Sequence, residues 1–186
     1  MMTRIINTFV VVLSTALSLT TPGEVSAQAA QDITFQQFLE FRINGSVKLE
    51  QLNTMAGDWT ALKAAMGDPE EEVCEDVFVG EDCTFTWPGV TVWLTNVPTS
   101  EWEVSDVLIE NGASLHYGAV TLSPGDSIEK LMSHFPEAYA NRGAASANDR
   151  WGCTHYAAVR RDIATVRFCY DPANSRIQKI VWWNYL

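Results

Sequence analysis

The order of apolar and polar residues predicts helical segments that each lead into a run of strands. Apolar residues recur at helical spacing after Thr34, where Gln37 supplies the partner of a capping box, and Asn44-Gly45 is typical of a helix end. After a second helical stretch that begins at Ser46, much of the chain alternates with period two. Turn residues separate these alternating runs, which are predicted as strands at 77–79, 83–87, 90–94, 104–110, 152–159, 164–170 and 177–183.

The pattern also contains an internal repeat. Thr91-Val92-Trp93-Leu94 matches Thr165-Val166-Arg167-Phe168 at a shift of 74 positions, and a helical pattern precedes each set of strands. We therefore predict an α+β fold: a tandem repeat of a helical segment plus an antiparallel β-meander, with the helices packed on one face of the sheet. The predicted boundaries are a signal peptide (1–27), an N-terminal helix (28–45), an acidic first repeat (46–122) and a second repeat (123–186), both repeats forming one compact domain.

Alternation within the strands assigns side chains to the two faces of the predicted sheet. The apolar residues of the 90–94 run are expected to face the helices, so Trp93 faces away from them. Arg167 takes the matching position in the second repeat, and Trp183 and Tyr185 fall on the same outer face near the C-terminus. The outer face is therefore expected to be rich in aromatic side chains.

The N-terminal residues are typical of a secretory signal. Arg4 precedes an apolar stretch at 9–19, and Val25-Ser26-Ala27 is a small-x-small cleavage site. The apolar stretch is too short to serve as a transmembrane anchor, and no later stretch is long enough to span a bilayer. We expect an exported chain, in the periplasm or the medium.

Two cysteines fall in each predicted repeat, and an even number in an exported chain indicates disulfides. Three connectivities are possible, and the repeat favours Cys74–Cys83 and Cys153–Cys169. Zinc ligation is the alternative, but no pair has the CxxC spacing and only His155 lies near them in sequence. No metal is therefore expected.

The charge is negative and unevenly distributed, with a net of −11 over the whole chain. Residues 28–122 carry 16 acids and 3 bases, whereas residues 123–186 carry 6 acids and 8 bases. This argues against nucleic acid as a partner and favours a cationic protein, although a solvated acidic hairpin or an irregular calcium site also fits. The acidic cluster consists of Glu70, Glu71, Glu72, Glu75, Asp76, Glu81 and Asp82.

The chain resembles the β-lactamase inhibitor protein family and the single-copy small lipoprotein subunit of the outer-membrane assembly machine. The residues that carry this resemblance are the Gly-Asp segments at 57–58 and 125–127, the helix ends at 67–69 and Pro136, the cysteine layout and the Trp-rich last strand. The first copy departs from the pattern, since it is one residue shorter and has Trp59 where a small polar residue is usual. The resemblance implies a concave, aromatic outer face that grips a partner enzyme.

The function predicted from these observations is an exported, non-enzymatic protein-binding module, such as an enzyme inhibitor or an assembly factor. Binding would use Trp93, Arg167, Trp183 and Tyr185, because Trp, Tyr and Arg are enriched at interface hot spots, and the acidic cluster would steer the partner. No phosphate loop, dinucleotide fingerprint or nucleophile elbow is present, so neither a cofactor nor a catalytic residue is expected. The alternatives are a small-ligand or glycan binder that uses the same aromatic residues, and a hydrolase that uses acids and His155.

Overall fold

The computed structural model describes residues 30–78, 80–96, 101–162 and 164–184. The signal peptide predicted at 1–27 and the predicted anchor Tyr185 lie outside these residues. The strands are β1 (Gln31–Asp32), β2 (Phe41–Ile43), β3 (Val47–Lys48), β4 (Glu71–Asp76), β5 (Glu81–Trp87), β6 (Val90–Asn96), β7 (Glu103–Ile109), β8 (Leu115–Tyr117), β9 (Val120–Leu122), β10 (Gly143–Ala144), β11 (His155–Arg161), β12 (Ala164–Asp171) and β13 (Arg176–Asn184). The helices are α1 (Phe35–Phe38), α2 (Leu49–Met55), α3 (Trp59–Met66) and α4 (Pro136–Ala140), with a 3₁₀ helix at Ile128–Leu131.

Most strands belong to one large sheet with the order β1-β11-β12-β13-β7-β6-β5-β4, and β10 pairs with β11 beside this path. All its neighbours are antiparallel except β1 and β11, which run parallel, so the sheet is mixed. The join between β13 and β7 unites the two halves of the chain and sets Trp182 opposite Val107. Both residues are buried on the inner face of the sheet.

The inner face is covered by α2, α3 and a second, four-stranded sheet with the order β3-β2-β8-β9. Phe135 links the two sheets, since its ring lies 5.8 Å from that of Phe41 in β2 and 6.4 Å from that of Phe168 in β12. On the other half, Trp59 of α3 packs 5.0 Å from Phe85 of β5. Aromatic rings therefore connect all the layers, and full burial of such a side chain contributes about 1.5–3 kcal/mol.

The predicted fold class, a tandem repeat of a helical segment plus a meander, is wrong. The structure is mostly β, with 45% strand and 19% helix, and it contains a large mixed sheet and short helices. The small sheet was not predicted, and its strands come from segments assigned to a helix and to loops. The error has a physical cause: short apolar runs are compatible with both helix and strand, and pairing with distant strands decides between them.

The N-terminal segment shows this ambiguity. The predicted capping box is present, because the backbone N–H of Gln37 donates to Thr34 Oγ1 and that of Thr34 donates to Gln37 Oε1. The helix nevertheless stops at Phe38, and the chain continues as strand β2. Asn44 and Gly45, with φ of 49° and 74°, form the turn of the β2–β3 hairpin and do not end a helix.

The helix predicted at the start of the second repeat is also absent from the described residues. Its apolar positions Ile128 and Leu131 are buried, but they lie in a single 3₁₀ turn. The proline expected to stop the helix instead begins α4, where its missing N–H and fixed φ are compatible with the first helical position. The two halves therefore differ in their helices, although both supply neighbouring antiparallel strands to the large sheet.

The assignment of faces within the strands is confirmed. Val90, Val92 and Leu94 are fully buried on the inner face, as are Val166 and Phe168 in β12. Strand alternation was a reliable guide here because each of these strands packs one face against the core. None of the described helices is long and apolar enough to cross a membrane.

Candidate interaction surface

A row of side chains crosses the outer face of the large sheet. The strand register places Val73 of β4 opposite Thr84, Thr84 opposite Trp93, Trp93 opposite Asp106, and Asp106 opposite Trp183 of β13. The β4–β6 end of this row is open: Val73 is exposed and Trp93 is half-buried. Around Trp93 lies a band of half-buried threonines, namely Thr84, Thr86, Thr91 and Thr95.

The other end of the row lies beneath residues 145–153, which we call the strap. The strap connects β10 to β11 and crosses the outer face, where the Cys153–Cys169 disulfide attaches it to β12. Its Trp151 lies against Trp93, with ring centroids 5.5 Å apart. Trp183 is consequently only 7% exposed, in a small cluster with the disulfide and Val181.

Two crossed ion pairs fix the strap to the sheet. Arg150 of the strap donates to Asp106 of β7, and Arg167 of β12 donates to Asp149 of the strap at 2.8 Å. In one pair the aspartate lies on the sheet and the arginine on the strap, and in the other the positions are reversed. Both aspartates are buried, since the side chains of Asp106 and Asp149 are only 1% and 4% exposed. Burial raises the pKa of Asp106, an effect that Arg150 and a hydrogen bond from Ser105 oppose.

Arg167 lies at the centre of the covered region. Its guanidinium lies 4.3 Å from the ring centre of Trp183 and 4.2 Å from that of Tyr156, within the range of cation–π attraction. Its side chain is 20% exposed, and its Nε has no hydrogen-bond partner within the residues described. The ring contacts thus position Arg167 on the sheet, and its ion pair with Asp149 joins the strap to it.

Of the anchors predicted from the sequence, Trp93 lies on the open part of the outer face, and Arg167 and Trp183 lie on the covered part. The structure brings Trp93, Arg167 and Trp183 to one face, as the alternation required, but the strap covers Arg167 and Trp183. Sequence reasoning missed Trp151, which supplies the second half-exposed ring of the open part. The available signal was its position two residues before Cys153, since a Cys153–Cys169 bridge draws this segment onto the sheet.

The acidic cluster forms a hairpin at the sheet edge. Its seven acids lie on β4, on β5 and at the residue just before β4, and all are exposed or half-exposed. The predicted Cys74–Cys83 disulfide is confirmed and joins the two strands at directly opposed positions. At the tip, Phe78 is fully exposed. A rigid, strongly negative hairpin therefore stands beside the Trp93 face.

The structure permits a check on metal ligands. Glu81 lies close to the sulfurs of Cys74 and Cys83, but those sulfurs are joined to each other, so they cannot act as thiolates. The Cys153–Cys169 disulfide is confirmed as well, so all four cysteines are paired.

Neither His155 nor His116 has a carboxylate partner among the residues that the structure describes. The Nδ1 of His155 is buried and has no hydrogen bond to any part of the chain that the structure describes, so the acid that the hydrolase hypothesis requires is absent at this nitrogen. His116 contacts two hydroxyls, Ser114 Oγ at 3.0 Å and Thr121 Oγ1 at 3.2 Å. Ser114 also lies near Asn44 Oδ1, and this group ties the β2–β3 turn to β8.

An open cavity of about 680 Å³ lies at the end of the large sheet where β7 and β12 begin and β11 ends. Phe38 and Trp102 supply its apolar walls, and Arg161 extends across it with its guanidinium 4.3 Å from the ring centre of Phe35. The acidic side chains that line it are Glu50, Glu101, Glu103 and Asp162.

Comparison with known proteins adds little to this geometry. No protein-family model matches the chain, and no curated protein matches it. Among solved structures it is similar to a cysteine-rich secretory protein from Staphylococcus aureus subsp. aureus Mu50, with 9% identity and a TM-score of 0.37. The match covers 67% of this chain and 41% of that one, so the chain spans less than half of its length. At this TM-score, the likeness carries no argument about function.

Proposed function

We propose that this chain is an exported, non-enzymatic protein-binding module that holds its partner on the open part of the outer sheet face. The observation that carries the proposal is the pair Trp93 and Trp151, whose rings pack together at 5.5 Å and remain half-exposed. Tryptophan supplies a large contact area at low conformational cost, which is why it is enriched among interface hot spots.

Both rings are held by ordered parts of the structure, which favours a role in partner binding. Trp93 belongs to a central strand with the fully buried Val92 and Leu94 on either side, and Trp151 belongs to a strap held by a disulfide and two ion pairs. A surface that is already ordered loses less entropy when a partner binds, so more of its contact energy appears as affinity.

The acidic hairpin supplies the second component of the proposal. It lies on β5, the neighbour of the strand that carries Trp93, and on β4 beyond it, and its charge would attract a cationic partner and raise the association rate more than the final affinity. Export is supported by the two disulfides, because such bonds persist in oxidising compartments. The resemblance to the β-lactamase inhibitor protein family stays a prediction.

The test is capture of a partner by the oxidised mature protein from exported fractions and host fluids. We expect a stoichiometric protein that the Trp93→Ala/Trp151→Ala variant loses, whereas Met132→Ala, which alters an exposed apolar residue outside this face, retains it. Circular dichroism and thermal unfolding would establish that the double variant is folded. Equal capture by the folded double variant would contradict the proposal.

A second candidate function is small-ligand binding in the cavity walled by Phe38 and Trp102. The observation that favours it is the combination of aromatic walls with charged side chains of both signs, which is typical of ligand pockets. A thermal-shift screen of small amines, acids and sugars, repeated with Trp102→Ala, would reveal it. A hit that Trp102→Ala abolishes and Trp93→Ala does not would favour this candidate over the first.

A further inference from the structure

We propose that the free edge of strand β4 accepts an extended cationic segment of the partner protein as an additional strand. This inference rests on the proposed binding function, but it uses a separate part of the surface and specifies the chemistry of the partner. Strand addition to a sheet edge is a general mode of peptide recognition, in which main-chain hydrogen bonds supply affinity and alternate side chains supply specificity.

The first step of the argument is that β4 has an open edge. It is the terminal strand of the large sheet, with β5 on one side, and no strand within the described ranges pairs with its other side. All six of its side chains are exposed. The strand at the opposite end of the sheet, β1, has only two residues, so β4 is the longer of the two terminal edges.

The second step identifies the backbone groups at that edge. The Cα atoms of the directly opposed Cys74 and Cys83 are 4.1 Å apart, the short spacing of a non-hydrogen-bonded antiparallel pair. The backbone N–H and C=O groups of Cys74 therefore point away from β5, and by alternation so do those of Glu72 and Asp76. Three residues thus present backbone donors and acceptors to an incoming strand.

The third step concerns the side chains beside the edge. Because Val73 shares a row with Thr84 and Trp93, its side chain and those of Glu71 and Glu75 lie on the outer face. An added strand would extend this face, with its alternate residues beside Glu71, Val73 and Glu75. Complementarity then requires a basic residue, an apolar residue and a second basic residue at every other position of the partner segment. This pattern reads the same in both chain directions.

The fourth step excludes a second copy of this chain as the occupant. Two β4 strands laid side by side would bring their glutamates and aspartates together, and like charges on neighbouring strands are destabilising. Charged residues on an edge are a common protection against self-association. The same charges attract a basic strand, and the disulfide to β5 holds the edge in an extended form before the partner arrives.

The test uses the oxidised mature protein and the synthetic peptide Thr-Lys-Thr-Val-Thr-Lys-Thr, with binding measured by calorimetry at low and moderate salt. Two versions of the peptide carry N-methyl groups on alternate amides: one on the threonines that flank the valine, the other on the valine and lysines. An added antiparallel strand points the amides of the flanking threonines at β4, whereas a parallel strand points the other set. One methylated peptide should therefore bind at least about tenfold more weakly than the other, because it loses at least two hydrogen bonds.

Two protein variants provide the reciprocal measurement. Glu72→Pro removes an outward N–H that the β4–β5 ladder does not use, and Glu72→Gln is its matched control, since both variants lose the ion pair to Lys63. We expect Glu72→Pro to bind the peptide several-fold more weakly than Glu72→Gln. Hydrogen exchange at the Glu72, Cys74 and Asp76 amides should slow on peptide binding.

The outcomes separate this inference from the proposed function. Equal binding of the two methylated peptides, or equal binding of Glu72→Pro and Glu72→Gln, means electrostatic adhesion only and overturns strand addition. Complete absence of peptide binding at low salt overturns it as well. Neither result changes the expected loss of partner capture with Trp93→Ala/Trp151→Ala, so each hypothesis can fail while the other stands.

Discussion

The ion pair between Arg167 and Asp149 offers a sharp test of how the strap is held. We consider Arg167→Met and Asp149→Asn, singly and together. Methionine keeps much of the length of the side chain between Tyr156 and Trp183 but removes the charge. Asparagine keeps the shape of Asp149 and removes its charge as well. The pair should behave as one unit, because neither partner has another ion pair among the residues described.

The structure sets the expected magnitude. Asp149 is 4% exposed, so Arg167→Met leaves a buried carboxylate without its counter-ion, and breaking such a pair costs about 3–5 kcal/mol. The single hydrogen bond and the partial exposure of Arg167 place the estimate at the lower end, about 3 kcal/mol of the free energy of unfolding. Loss of the ring contacts adds about 0.5–1 kcal/mol.

The decisive feature is the sign of the change in free energy of unfolding that Asp149→Asn causes in each background. Asp149→Asn should destabilise the wild-type protein, because it leaves the charge of Arg167 unpaired. The same substitution should stabilise the Arg167→Met background by about 2 kcal/mol, since it removes an orphaned charge. Urea unfolding of the oxidised protein, followed by tryptophan fluorescence and circular dichroism, measures all four free energies.

Arg160→Met is the matched control. Arg160 lies on the neighbouring strand β11 and pairs with Asp32, but both side chains are largely exposed. The control should therefore cost less than about 1 kcal/mol. If Asp149→Asn destabilises both backgrounds equally, the two residues are not coupled and the account of the strap is wrong.

Three further predictions concern the core, the second disulfide and pH. Phe135→Ala should lower the free energy of unfolding by about 3–5 kcal/mol, because it opens a cavity between the two sheets, whereas the exposed Met132→Ala should change it by about 0.5 kcal/mol or less; equal urea midpoints would refute this. Replacing Cys153 and Cys169 with serine should cost about 3 kcal/mol and expose the strap to proteolysis, as unfolding curves and mass spectrometry of the fragments would show. Burial raises the pKa of Asp106 above its ordinary 3.8, so the folded state binds this proton more tightly than the unfolded state. The free energy of unfolding should therefore fall as pH rises from about 3.8 through the folded pKa. If Asp106→Asn leaves this pH dependence of the free energy of unfolding unchanged, Asp106 is not its source.

The sheet face of each strand side chain and the two disulfides were predicted well from the sequence, whereas the architecture was predicted poorly. Trp93 and Arg167 were placed correctly because strand alternation is a local signal that one-sided burial reinforces. Both disulfides were predicted because two cysteines fall in each predicted repeat, and the paired cysteines are only 9 and 16 positions apart. These features depend on residues that are close in the chain or that obey a simple period.

The remainder depended on contacts between distant residues. The strap has no periodicity, and its ion pairs join residues 44 and 18 positions apart, so the burial of Trp183 was not predictable from the alternation that placed it on the outer face. The small sheet likewise arises from pairing of β2 with β8, far along the chain. Asn44-Gly45 carried a hairpin signal, but the preceding capping box favoured a helix.

The most direct test of the proposed binding function is one comparison of partner capture between two threonine substitutions. Thr84→Arg places bulk and positive charge beside Trp93, where a cationic partner would contact the sheet, whereas Thr121→Arg makes the same change on β9 of the small sheet. The account predicts that Thr84→Arg loses the captured protein and Thr121→Arg retains it, with both variants folded. Equal capture by the two variants would show that the outer face does not bind the partner.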